Sequence, residues 1–224
     1  MKKLKKPQIR SHIQELILGL CLCLLELGSN SVVYGAQPEK PPPIVKGGEI
    51  DLSHWNFTKD GVITLQGEWQ FYWQQLLEPE DFVGGKVPQP THMVSIPGGW
   101  IDGKSLQEGE ESALPTRGYG TYLIKVKGIK QGAEDLGAFL GGWVLNYRVI
   151  IFSPRDIQKI SLEMTAGVAA SSEQRFVAHR LPKYQKIGFL EDDQYYLLIQ
   201  HSDFYGNGGN FSDPIQLGLL SHLK

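Results

Sequence analysis

Gly61-Val-Ile-Thr-Leu-Gln-Gly-Glu-Trp-Gln-Phe-Tyr-Trp73 sets three large rings at alternate positions, Trp69, Phe71 and Trp73, with Gln70 and Tyr72 between them. Successive side chains of a strand point to opposite faces, so this spacing puts all three rings on one side of a strand. Aromatic side chains bury large apolar areas and are found inside proteins more often than on a binding platform. The segment is therefore read as a core strand, with a sugar-stacking platform as the functional alternative.

The chain around it has the same punctuation. Val62–Leu65 precedes Gly67. In Thr121–Val126, Tyr122, Ile124 and Val126 fall on one face, and Thr121, Leu123 and Lys125 on the other. Ala138–Leu140 meets Gly141-Gly142 and resumes as the β-branched run Val144–Phe152, which Pro154 closes. Tyr195–His201 and Ile215–Leu217 complete the series. Short runs rich in Val, Ile, Tyr and Phe between Gly, Pro, Asn and Asp clusters predict eight or more strands and an all-β sandwich or barrel. Trp69–Leu77 is the one segment read as a strand running into a helical turn, ended by Glu78-Pro79-Glu80-Asp81.

Composition narrows the function. The chain has 224 residues, 41% of them hydrophobic, and a net charge of −2. That fits one folded domain with a short extension, and it removes the electrostatic argument for nucleic acid. Lys2, Lys3, Lys5, Lys6 and Arg10 precede the apolar run Leu16–Leu25, and small residues follow to Gly35-Ala36. This order predicts an export signal over residues 1–36, with an uncleaved membrane anchor as the alternative; the apolar run is shorter than the ~20 residues that span a bilayer. Cleavage after Ala36 would remove five basic residues, two acidic residues and both cysteines, Cys21 and Cys23. The mature domain would then depend on its core rather than on disulfides. Residues 37–49, with Pro38, Pro41, Pro42, Pro43 and Gly47-Gly48, read as an extended linker, and 50–220 as the domain.

No residues are assigned to catalysis. The sequence has no G-x-S-x-G, no H-E-x-x-H, no phosphate-binding glycine loop with lysine and no cysteine cluster, and its histidines lack metal-ligand spacing. No cofactor is implied. The polar loop His201–Phe211 offers Asp203, Asn207, Asn210 and the nearby Asp213 as oxygen donors, so a bound calcium is conceivable, although the spacing matches no EF-hand. Asn56-Phe57-Thr58 and Asn210-Phe211-Ser212 formally match glycosylation acceptors.

Candidate contacts come from the loops. Trp100, after Ile96-Pro97-Gly98-Gly99, either overhangs a cleft or caps the sandwich edge. Arg117 presents a planar set of donors suited to hydroxyls or carboxylates, the alternative being an ion pair with Glu108, Glu110 or Glu111. The glycines on both sides of Tyr119 allow close backbone approach to a strand or a ligand. Tyr205 and Asn210 lie in the glycine-rich loop. Arg148, inside a hydrophobic strand, faces either solvent or a polar pocket, because burying it unpaired is costly; solvent is the favoured expectation.

Gly61–Trp73, Ile96-Pro-Gly-Gly-Trp100, Gly120-Thr-Tyr122 and the closing His201–Gly218 segment together resemble the extracellular domains of bacterial seven-transmembrane receptors with diverse intracellular signalling modules. The likeness extends over roughly residues 50–218. It implies a jelly-roll, galactose-binding-domain-like sandwich, a periplasmic or extracellular location, and a sensor for carbohydrate or a related small molecule. Similar motifs occur in the galactose-binding-like domains of some glycoside hydrolases. Seven membrane helices usually follow such a domain, but no apolar span follows residue 36 here. The expectation is thus a ligand-binding module rather than an enzyme. Trp100, Arg117, Tyr119, Tyr205 and Asn210 would be its contacts, a small molecule or glycan its ligand, and a membrane receptor or signalling protein its further partner. An accessory sandwich of a glycoside hydrolase and a partner-binding envelope protein are the rival readings.

Overall fold

The computed structural model describes residues 40–107, 113–129, 135–141, 146–178, 183–188 and 190–223. Residues 1–36, read from the sequence as an export signal, and the acidic run 108–112 lie outside them. Among the described residues there are twelve strands: β1 (Glu49–Asp51), β2 (Ile63–Thr64), β3 (Gly67–Trp73), β4 (His92–Ile96), β5 (Lys104–Ser105), β6 (Gly118–Lys127), β7 (Leu136–Leu140), β8 (Tyr147–Phe152), β9 (Ile160–Ala166), β10 (Lys183–Lys186), β11 (Gln194–Asp203) and β12 (Gln216–Leu219). They form two sheets. The larger has the order β5-β4-β3-β6-β11-β8-β9, with β1 also on β6; the smaller has the order β10-β7-β12-β2. Every strand pairing is antiparallel except β1 with β6. This is the all-β antiparallel sandwich expected from the sequence. Among the described residues no helix is long and apolar enough to cross a membrane.

The long partners β6 and β11 hold the centre of the large sheet, in register from Gln194↔Lys127 to Asp203↔Gly118. Strand alternation then sorts the side chains. Trp69, Phe71, Tyr122, Ile124, Val149, Ile151, Leu197 and Ile199 face the small sheet's Ile63, Leu136, Ala138, Leu140 and Leu217 in one buried cluster. The rings of the decisive strand are therefore core, with Trp73 half-buried at its end. Gly118 and Gly120 serve this packing. A Cβ on Gly118 would lie 2.1 Å from the Trp73 ring, and one on Gly120 would lie 2.5 Å from the Phe71 ring. The glycines flanking Tyr119 thus admit the rings of a neighbouring strand.

The opposite face of the large sheet is also covered. Tyr72, Leu123, Ile150, Phe152, Tyr196 and Leu198 form a second cluster under Leu77 and Phe82. The chain that brings those two residues turns at Gln74, whose φ is +57°, and its helical turn falls at Pro79–Gly85, later than the sequence suggested. Polar groups pin it in place. Thr121 Oγ1 accepts from Leu77 N at 2.9 Å and donates to the Gln75 carbonyl at 2.7 Å. Gln200 Nε2 donates to the Leu77 carbonyl at 2.8 Å and to Glu78 Oε1 at 2.9 Å. Arg148 belongs to the same set. It does not face open solvent but sits between Glu163, 2.8 Å from its Nε, and Glu78, 2.5 Å from one terminal nitrogen. Two carboxylates offset the desolvation of a half-buried guanidinium, so of the two expected surroundings the polar pocket is the one it has.

The 37–49 linker is shorter than the proline count implied. Val45 is 1% exposed. Its carbonyl accepts from Glu68 N and its N–H donates to the Gln66 carbonyl, both at 2.9 Å. One compact unit accordingly runs Pro38–Lys224. Gly47-Gly48 is the turn that lets the chain double back: both residues have positive φ, a conformation glycine adopts at little cost.

Candidate functional site

Antiparallel pairing carries the end of β11 to the starts of β6 and β8 and the end of β9. The loops 113–117, 167–178 and 204–213 therefore gather at one end of the large sheet. Asp203, the last residue of β11, organises the third of them, 204–213. Its Oδ1 accepts from Tyr205 N at 2.9 Å and Gly206 N at 3.0 Å, and its Oδ2 from Gly209 N at 3.1 Å. This is the local side-chain-to-backbone bonding that makes Asp a turn residue. The loop is further fastened from three sides. Gly208 N donates to the Thr116 carbonyl at 3.0 Å, Trp100 N donates to the Gly208 carbonyl at 2.9 Å, and Phe211 exchanges two backbone bonds with Gly98. Tyr122 Oη donates to the Gly209 carbonyl at 3.0 Å from below.

The five predicted contacts divide. Tyr205 is 60% exposed at the loop tip. Arg117, also exposed, runs alongside: its Cγ and Nε pass 3.8 Å from where Gly206 would carry a Cβ. Among the described residues Arg117 makes no ion pair; its proposed acidic partners fall in 108–112. Asn210 is exposed on the same loop. The other two do not join them. Tyr119 is half-buried, and alternation places it with Thr121 and Leu123 on the outer sheet face. Trp100 is fully buried. Its ring stacks on Phe71 at 5.7 Å and meets Trp73 edge-on at 5.4 Å, and its Nε1–H donates to the Pro115 carbonyl at 2.8 Å. It supports the loop and cannot stack on a ligand. A Cβ on Gly209, whose φ is +63°, would come within 2.0 Å of the Trp100 ring, so only glycine lets the loop settle this closely.

Phe176, which the sequence reading passed over, completes the surface. It meets Tyr205 edge-to-face at 5.1 Å and Phe204 at 5.5 Å. Val168 and Val177, bridged by a 2.8 Å backbone bond, extend this apolar rim and are 47% and 53% exposed. The only sequence signal was an apolar pair, Phe176-Val177, inside a polar stretch.

Of the oxygen donors named for calcium, Asp203 is committed to the loop itself. Asp203 spends both oxygens on backbone N–H groups, so its lone pairs point into the loop. Among the described residues no group of three or more His, Cys, Asp or Glu side chains is placed to hold a metal.

Below the rim lies His201, 5.7 Å from the Trp100 ring and 5.4 Å from Phe211, with Nδ1 2.8 Å from the Asn146 carbonyl. Burial depresses its pKa, against the opposing pull of that carbonyl and of Asp203. Below about pH 6.5 the unfolded chain takes up a proton that folded His201 refuses, so stability falls with acidification until the pH reaches the depressed folded value. The slope from this residue is at most about 1.4 kcal/mol per pH unit. Urea denaturation at about pH 7 and about pH 5 should show this loss, and His201→Gln should reduce it. An identical pH dependence in the variant would contradict the assignment.

No family model matches the chain, and no curated protein matches it. Solved structures give weak similarity. A β-glucuronidase from Faecalibacterium prausnitzii superposes with a TM-score of 0.43 at 11% identity, over 70% of this chain and 31% of that one. For the β-glucuronidase of Lactobacillus rhamnosus the values are 0.43, 12%, 70% and 28%. For a GH2 β-galacturonidase from Eisenbergiella tayi bound to galacturonate they are 0.40, 12%, 71% and 24%. The chain spans less than a third of the length of each of these proteins.

Proposed function

We propose that this chain is an exported ligand-binding module that holds a carbohydrate at the rim formed by Tyr205, Phe176, Arg117 and Asn210, and that it binds without turning its ligand over. One observation carries the reading: a large aromatic ring, 60% exposed, is held on a loop that Asp203 and Trp100 fix from below. An exposed ring ordinarily loses side-chain freedom on binding; here the supporting bonds have already removed backbone freedom, which lowers the cost of recognition. The apolar C–H face of a sugar suits the Tyr205 ring. The Arg117 guanidinium and the Asn210 amide are hydroxyl-orienting donors within the same loop cluster. The basic-apolar-small order of residues 1–36 supports export, and the motif likeness to bacterial receptor ectodomains supports a sensing role.

A glycan array followed by titration calorimetry tests this. Tyr205→Ala should lower affinity for the bound glycan at least ~10-fold, about 1.4 kcal/mol, with the melting temperature essentially unchanged because the ring is exposed. No bound glycan, or full affinity in the variant, would contradict the reading. The exposed Val168 and Val177 beside Phe176 favour a second reading, docking of an envelope protein on the same rim. Co-purification of a membrane receptor through these valines, without any glycan binding, would favour it over the first.

A further inference from the structure

β8 and β9 keep register from Tyr147↔Ala166 to Ile151↔Leu162 and then slip, so that Phe152 faces Ile160 and Ser161 is left over. Its carbonyl is taken by Gly188 N at 2.6 Å, from the segment that follows β10 in the other sheet. A bulge bends its strand and re-aims side chains. At this corner a cleft of about 350 Å³ opens between 153–161 and 188–195. It lies by the first residues of β11, whereas the Tyr205 loop follows its last; ten residues of strand separate them, roughly 30 Å.

The cleft is large enough for a small molecule, at the lower end of the roughly 300–1,000 Å³ usual for such sites, and one of its charges, Asp192, is held in place by its neighbours. Ser153 and Tyr195 are buried in it. Asp192 Oδ2 accepts from Ser153 Oγ, its Oδ1 accepts from Arg155 at 3.1 Å, and its N–H donates to Tyr195 Oη at 2.6 Å. At the mouth Lys159 Nζ pairs with Glu191 Oε2 at 2.7 Å, the two side chains 61% and 60% exposed. A pair this exposed is screened by water and contributes little, so opening it is easy for a ligand that satisfies both partners. A simple anion would take Lys159 and leave Glu191 beside Asp192. A simple cation would leave Lys159 unpaired. A ligand with both charges replaces one ion pair by two.

We propose that this cleft is a second ligand site, independent of the Tyr205 rim, which takes a small zwitterion of amino-acid or dipeptide size, its carboxylate on Lys159 and its ammonium on Glu191 and Asp192. The test is calorimetric titration of the full chain with free α-amino acids and glycyl dipeptides. The best of them is then compared with its N-acetylated form, which keeps only the anion, and its amidated form, which keeps only the cation. The uncapped ligand should bind at least ten-fold more tightly than either. Lys159→Met and Glu191→Gln should each weaken it about ten-fold, and Tyr205→Ala should leave it unchanged. Equal affinity for capped and uncapped forms, no zwitterion binding at millimolar concentration, full affinity in both cleft variants, or loss in Tyr205→Ala would overturn the proposal. The capped-ligand comparison needs only the unaltered protein, so it stands even if a variant folds poorly.

Discussion

Trp100→Ala should destabilise the fold by about 3–5 kcal/mol, the range for removing a large buried ring. Three effects combine. The ring is fully buried, so the cavity left behind has no water to fill it cheaply. Its aromatic neighbours Phe71, Trp73 and His201, at 5.7, 5.4 and 5.7 Å, lose their packing partner. The Pro115 carbonyl loses the indole N–H. Trp100→Phe should cost less, since it keeps most of the packing and loses the hydrogen bond. Urea unfolding of the three proteins measures both losses. A loss below about 1 kcal/mol in Trp100→Ala, with an altered ligand affinity, would mean that the indole is a contact residue after all.

Asp203→Ala is expected to have the next largest effect, and a different one. Three N–H groups lose their acceptor, and the buried Gly209 N–H alone should cost about 1–3 kcal/mol. The core beneath remains, so the loss should be local. Hydrogen exchange should rise at Tyr205, Gly206 and Gly209 while β6 and β11 stay protected. Ligand affinity at the rim should fall with it, because Tyr205 would no longer be held in position. Asp203→Asn keeps one acceptor oxygen and should fall between the two. Unchanged protection at all three amides in Asp203→Ala would show that the neighbouring bonds from Thr116, Trp100 and Gly98 hold the loop without it.

Much of the fold was legible because alternation is a local property. The face assignment in 121–126 and the inward rings of 69–73 follow from a period of two, and the register agrees with both. What escaped depends on distant chain. Tyr72 and Leu123 occupy positions that alternation would give to a polar face, and they are buried only because residues 74–85 cross over them. Whether Arg148 faces solvent or a polar pocket is decided only when Glu78, seventy residues away in sequence, comes to meet it. Val45 reads as linker until it pairs across from Gln66 and Glu68. The candidate site was partly legible for a related reason. Glycine, Asp and Asn marked the 203–210 loop correctly as a built turn. Whether a tryptophan beside it points out or in depends on the space that Gly209 leaves, and no local pattern encodes that. Phe176 could be joined to Tyr205 only once the end of β9 was known to lie beside the start of β8.

The central claim is that recognition belongs to the loop rim around Tyr205 and not to either sheet face. Backbone amide shift mapping during titration with the tightest glycan from the array tests it most directly. Perturbations confined to 113–119, 167–178 and 203–213 are the predicted result; shifts centred on the outer sheet face around Tyr72, Arg148 and Gln200, or spread evenly over the domain, would contradict it.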